Sequence, residues 1–272
     1  MTLLGDLATR VTTGARAEPV PDARRRRLLG QELLLVLAVS LARSGLFAVI
    51  DLIGALASPA PLSAQSTQPL NGSAYSASLV DLAYQLAVSA VRLVPVLLVA
   101  YLLSRDGERL RDLGVDRREA GRDLVRGAAV AAVVGGTGLA LYLGAHAIGA
   151  NLTVIPTSLP PTWWRTPVLI LSAATNAVLE EVVVVGYLLR RLDQRGWSDG
   201  GVTAVSALVR GSYHLYQGFG GFVGNAVMGV LFVRLARRWG RIVPLIVAHT
   251  LIDSVAFVGY AALVGRVSWL PH

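Results

Sequence analysis

The chain contains no cysteine and no lysine. The first absence rules out disulfides, thiolate metal sites and cysteine nucleophiles. The second means that all 25 basic side chains are arginine, a bias of composition rather than of function. Charge is also scarce: 15% of the 272 residues are charged, 54% are hydrophobic, and the mean hydropathy is +0.57. A soluble domain of this length needs more charge to solvate its surface. One core of this size cannot hide so many apolar helices, so they must face lipid. The formal charge of +8 does not point to nucleic acid. The arginines cluster in segments that alternate with apolar spans, which is the topology signal of the positive-inside rule.

The expected fold is all-α: a polytopic membrane bundle of about seven transmembrane helices, with eight as the alternative count. Residues 1–27 read as an Arg-rich cytoplasmic tail, partly disordered, and 28–162 as N-terminal membrane helices. A catalytic helical core is expected over 163–260 and a C-terminal tail over 261–272. Arg24 to Arg27, an apolar run and Ala55-Leu56-Ala57 imitate a secretory signal, but the run far exceeds an h-region of about 15 residues. A retained first helix at about 30–57 is the better reading. Further spans fall at about 77–104, 127–149, 167–189, 199–216, 220–236 and 242–264. The loops 58–76 and 151–164 carry no charge and should face outward, Trp163-Trp164 serving as an interfacial anchor. Every major arginine cluster then falls inside, and the N-terminus is cytoplasmic.

Ionisable groups within a bilayer cost a few kcal/mol each, so those on the last four helices are the informative residues. Glu180 and Glu181 lie ten residues or fewer before the Arg190-Arg191 stop, about 15 Å deep on a straight helix. Adjacent helical residues point about 100° apart, so one carboxylate can face a cavity while its neighbour meets a flanking helix. Two close carboxylates in low dielectric hinder each other's ionisation, which suits a base that takes and returns a proton. His249 and Asp253 share one face at i, i+4, and Arg210 and His214 repeat that spacing. Asn225 sits among close-packing glycines at 220, 221, 224 and 229. For each residue alone, inter-helix hydrogen bonding is the plain explanation. So many costly groups within about 75 positions argue for a shared site.

Three segments resemble the CPBP family of type II CAAX prenyl endopeptidases and bacteriocin-processing or immunity proteins, also called the ABI family. Glu180-Glu181 through Arg190-Arg191 resembles its first motif, Arg210 to His214 its second, and His249 to Asp253 its third. The resemblance covers about 163–260, with two departures. The first motif's arginine, four residues after the second Glu, is here Val185, and the Phe that opens the second motif is here Arg210. One change deletes a guanidinium and the other supplies one on a helix expected to be its neighbour.

The resemblance implies an intramembrane endopeptidase. Glu180 would act as general base on a water, with His214 assisting, His249 and Asp253 polarising the scissile carbonyl, and Glu181 orienting the site or pairing with Arg210. It implies no required cofactor. The alternative is one divalent metal, zinc by preference, held by Glu180, His214 and His249. The expected partners are a membrane-associated protein or peptide substrate and the lipid bilayer, in a bacterial plasma membrane. Two other functions stay open: a catalytically silent CPBP-like immunity or scaffold protein, and a membrane transporter. The latter should show repeats and broken helices in both halves. By simple counting His214 lies near the outer end of its helix and Glu180 nearer the inner half. Their meeting therefore requires a tilted, late-starting or broken helix.

Overall fold

The structure is a computed structural model, and it describes residues 16–271. The part of the expected tail that precedes residue 16 lies outside them, as does His272. The described residues form seven principal helices and no strand. These are α1 (Ala23–Ala57), α2 (Ser78–Arg105), α3 (Ala120–Ala147), α4 (Arg165–Gln194), α5 (Asp199–Ser212), α6 (Phe219–Trp239) and α7 (Val243–Leu263).

Six of these are long and apolar enough to cross a membrane. The seventh, α5, was expected to run to about 216 but stops at Ser212 after 14 residues. At 1.5 Å per residue it spans about 21 Å, short of a hydrocarbon core of about 30 Å. The chain then makes one 3₁₀ turn, Leu215–Gln217, and reaches Gly218. At φ +103° this glycine is in a conformation that L side chains rarely adopt, and a Cβ there would lie 2.6 Å from the Ala150 carbonyl oxygen. The helix is broken where the sequence left that option open.

Helix starts and stops follow local chemistry. Asp22 caps α1 by accepting from the Arg24 and Arg25 amides, which is why the helix begins at Ala23, inside the stretch assigned to the tail. The missing N–H of Pro95 coincides with a break in α2 at Leu93. At the first-named ends of α2 and α4, loops 58–77 and 148–164 are laced together to form a cap. Thr67 N donates to Thr153 O at 2.9 Å, Leu70 N to Ile155 O at 3.0 Å and Ser158 N to Asn71 O at 3.1 Å.

The opposite end is the arginine belt. There Arg105 pairs with Glu32 (2.6 Å), Arg191 with Asp106 (2.8 Å) and Arg237 with Asp193 (2.6 Å). The core runs through the middle. Helix α4 is its axis, with 72% of its apolar window buried inside the molecule, whereas α3 buries only 6% and lies at the periphery. Helix α7 packs against both α3 and α4, and α6 packs on α5.

One belt contact fixes the start of α3. Gly114, at φ +75°, lets the backbone press against Arg241, where a Cβ would lie 2.4 Å from the Arg241 Cα. Arg241 then donates to Asp123 at 2.7 and 3.0 Å and to Asp116 at 2.9 Å. Burial pushes the Asp116 carboxyl up, but the Arg118 amide and the Arg241 guanidinium outweigh it and hold the group below its ordinary range. A carboxyl lowered in the folded state contributes stability above its unfolded value, about pH 4, and loses it as pH falls through the folded value. The thermal midpoint in detergent should therefore drop on acidification below about pH 4. Arg241→Met should cost about 3 kcal/mol at neutral pH and flatten that acid response. An unchanged acid response in the variant would remove this clamp from the account.

Candidate active site

Helix α4 changes character at the two glutamates. It is α-helical through Glu180 and then forms a π-helical segment, Glu181–Tyr187, before returning to α at Leu188. The segment contains four consecutive valines, whose β-branched side chains crowd an ordinary helical turn. Single π turns inside α-helices recur at functional sites. Both carboxylates are turned inward, Glu180 being 4% exposed and Glu181 fully buried.

As expected from adjacent helical positions, the two glutamates face different neighbours. Glu180 Oε1 accepts from Asn176 Nδ2 at 3.0 Å, and Oε2 accepts from the Tyr213 hydroxyl at 2.7 Å and from Arg210 Nη1 at 3.4 Å. Glu181 Oε1 accepts from Arg210 Nη2 at 2.6 Å and lies 2.7 Å from His249 Nδ1. The other Glu181 oxygen is buried without a hydrogen-bond partner. On the far side of the imidazole, His249 Nε2 faces Asp253 Oδ2 at 3.4 Å. The Asn176 amide closes the circuit, reaching Asp253 Oδ2 at 3.4 Å.

Arg210 is the hub. Its side chain is fully buried, it is the only cation hydrogen-bonded to both glutamates among the described residues, and it lies 5.2 Å over the Phe232 ring. Gly229 makes room for it, because a Cβ there would lie 2.9 Å from the Ala207 Cα and 3.5 Å from the Arg210 Cδ. Two carboxylates in low dielectric would repel each other, and a guanidinium shared between them offsets that repulsion.

Glu180, Glu181, Arg210, His249 and Asp253 are thus brought into one connected cluster. His214 is adjacent to it rather than bonded to it. Its Nδ1 lies 2.9 Å from the Arg210 carbonyl, an acceptor, so Nδ1 carries the proton and Nε2 is the accepting nitrogen. Its ring packs 4.7 Å from that of Tyr213, the residue that bonds Glu180. Asn225 is not brought in: its amide donates to Gly221 O on its own helix at 2.9 Å, so the supporting role expected of it has no geometric basis. Val185 is buried in the core below the pair.

Sequence reasoning missed Asn176 and Tyr213. Asn176 was legible, standing one turn before Glu180 on the same face. Tyr213 gave no such signal, because its position depends on the break after α5.

For a metal ion, donor atoms of Glu180, Glu181 and His249 lie within 4.8 Å of one another. This differs from the expected set, with Glu181 in place of His214. The set nevertheless fits a dication poorly as arranged. The guanidinium of Arg210 already bridges the two carboxylates, and the His249 nitrogens already face Glu181 and Asp253. A metal would have to displace a like charge from a buried position.

Fold and site together define a polytopic helical membrane protein with an acid–imidazole centre enclosed by its helices. Residues 162–255, the stretch that supplies every member of this centre, match the family described as Type II CAAX prenyl endopeptidase Rce1-like. That match covers about a third of the chain and supports a CPBP-type protease of the CAAX class. No curated protein and no solved structure matches the chain.

Proposed function

We propose that this protein is a metal-independent intramembrane endopeptidase that cuts a membrane-associated protein or peptide with a water activated by Glu180. The observation that carries the reading is the convergence of Glu180, Glu181, Arg210, His249 and Asp253 from three helices around one buried centre. Glu180 is the base: three donors fix its carboxylate, and Oε1, which accepts only from Asn176, keeps accepting capacity for a water proton. His214 stands beside it with Nε2 able to accept and return a proton. His249 is the electrophilic group. Its 2.7 Å contact with Glu181 holds the ring, whereas its 3.4 Å contact with Asp253 is the weaker one that a scissile carbonyl can replace. As charge develops on that carbonyl oxygen, a donor already oriented by Glu181 stabilises it without reorganisation.

The positive-inside rule sets the arginine belt in the cytoplasm and the loop cap on the other side. Nothing in the cluster selects a prenylated chain over other membrane peptides.

The test is purified protein in detergent with a panel of membrane peptides. At least one should be cleaved, and a strong divalent chelator should leave the rate unchanged. A rate that collapses with chelator and returns with zinc would replace the glutamate route with a metal one. Failure to cleave any peptide across the panel would favour the silent scaffold.

A further inference from the structure

Two donors from different helices converge on one oxygen of the catalytic cluster. Asn176 Nδ2 of α4 and His249 Nε2 of α7 each lie 3.4 Å from Asp253 Oδ2. A carboxylate only accepts, so each nitrogen presents an N–H to it. Both contacts are long for hydrogen bonds, and Asp253 gains little from them, but together they mark a point held between two donors. An anionic oxygen at such a point is what a peptide carbonyl becomes when water adds to it.

The surroundings of that point suit hydrolysis. Asn176 stands one turn before Glu180 on the same face of α4, and the Nδ2 that reaches Asp253 also donates to Glu180 Oε1 at 3.0 Å. Its two amide hydrogens therefore point to the two places that the reaction needs side by side. One is the oxygen of the base that keeps room for a water, and the other is the site of the developing charge. Access agrees with this. Arg210 and Glu181 are fully buried, whereas the Asp253 side chain is 19% exposed and Asn176 is half-buried. A substrate carbonyl thus meets the cluster at the Asn176–Asp253 edge. Asp253 itself cannot be the second donor expected of it, because a carboxylate facing two donors has no proton to give.

We infer that Asn176 is a further catalytic residue, the second donor beside His249 in an oxyanion site whose place Asp253 Oδ2 holds until a scissile carbonyl displaces it. The inference rests on the peptidase reading of Glu180. The water oxygen bonds to the scissile carbon as one of its protons passes to Glu180 Oε1, and the carbonyl π pair moves onto the oxygen between Asn176 and His249. When that pair returns, the C–N bond breaks and Glu180 gives the proton to the leaving nitrogen.

The experiment uses the full chain in detergent and one cleaved peptide in two forms, with the scissile carbonyl intact or replaced by a thiocarbonyl, whose sulfur is the weaker acceptor. Asn176→Ala should lower kcat on the oxygen peptide about a hundredfold, the usual loss for one oxyanion donor, with KM within a few-fold. The loss on the sulfur peptide should be tenfold or more smaller, because the missing N–H did little for sulfur. Asn176→Leu, of nearly the same size and without a donor, gives the same readings should the smaller side chain fail to fold. A residue that only positioned Glu180 would slow both peptides equally. Equal losses overturn the inference while leaving the peptidase reading intact, and so does a variant with the wild-type kcat.

Binding separates the two claims. A peptide trifluoromethyl ketone carries a tetrahedral hydrate at the scissile position, and fluorine NMR follows its occupancy. Wild type should bind it tenfold or more tighter than the matching peptide with a methylene there, and Asn176→Ala should lose that preference. An Asn176-dependent preference without cleavage of any peptide keeps the oxyanion site and removes the peptidase. No preference in wild type, or one that Asn176→Ala retains, overturns the site.

Discussion

Glu180→Gln should reduce kcat by about a thousandfold or more while KM stays within a few-fold, because it removes the base and leaves the enclosure standing. Three donors converge on this side chain: the Asn176 amide, the Tyr213 hydroxyl and the Arg210 guanidinium. A carboxylate is acceptor-only and satisfies all three. The glutamine amide has nearly the same shape but must turn its NH₂ toward one of them, and it cannot take a proton from water. Glu181→Gln should be milder in chemistry, since that residue holds Arg210 and His249 rather than the water. Cleavage by quantitative mass spectrometry on one identified peptide ranks the two variants. Glu180→Gln activity within tenfold of wild type would take the base role away from Glu180.

Much of this site was legible because hydrocarbon makes polar residues conspicuous. Glu180, Glu181, Arg210, His249 and Asp253 are each expensive in a span, and their spacing placed His249 and Asp253 on one face before any coordinates. Periodicity and length located α1, α2, α3, α4, α6 and α7, although α1 and α3 begin about seven residues earlier than expected and α4 runs about five further. What could not be read was backbone irregularity. Nothing in the alternation of apolar residues announces that α5 stops at Ser212 or that the chain folds over at Gly218. The place of His214 and the contact of Tyr213 with Glu180 both depend on that stop. The π turn after Glu180 is equally invisible to a 3.6-residue period. Asn225 shows the converse error: a polar side chain in a span is sometimes satisfied by its own preceding turn.

Replacing Arg210 by phenylalanine, the residue that usually opens the second motif in the resembled family, should be the most damaging single change to the architecture. It leaves Glu180 buried with no cation hydrogen-bonded to it among the described residues, and Glu181 with only the His249 imidazole. Stranding one partner of a buried ion pair costs about 3–5 kcal/mol. The unfolding midpoint in detergent should fall, and activity should fall about a hundredfold or more. Lysine cannot reproduce the fork that reaches Glu180 through Nη1 and Glu181 through Nη2, so Arg210→Lys should recover stability better than rate. Val185 is where the resembled motif carries its arginine, four residues beyond Glu181 on α4 and buried in the core. If the requirement is for one guanidinium at the glutamates, whichever helix supplies it, Val185→Arg added to Arg210→Phe should restore tenfold or more of the lost activity. Equal activity in wild type, single and double variants would mean that the glutamates need no guanidinium at all. An inactive double variant with restored stability would mean that the guanidinium must come from α5, beside the break that carries His214.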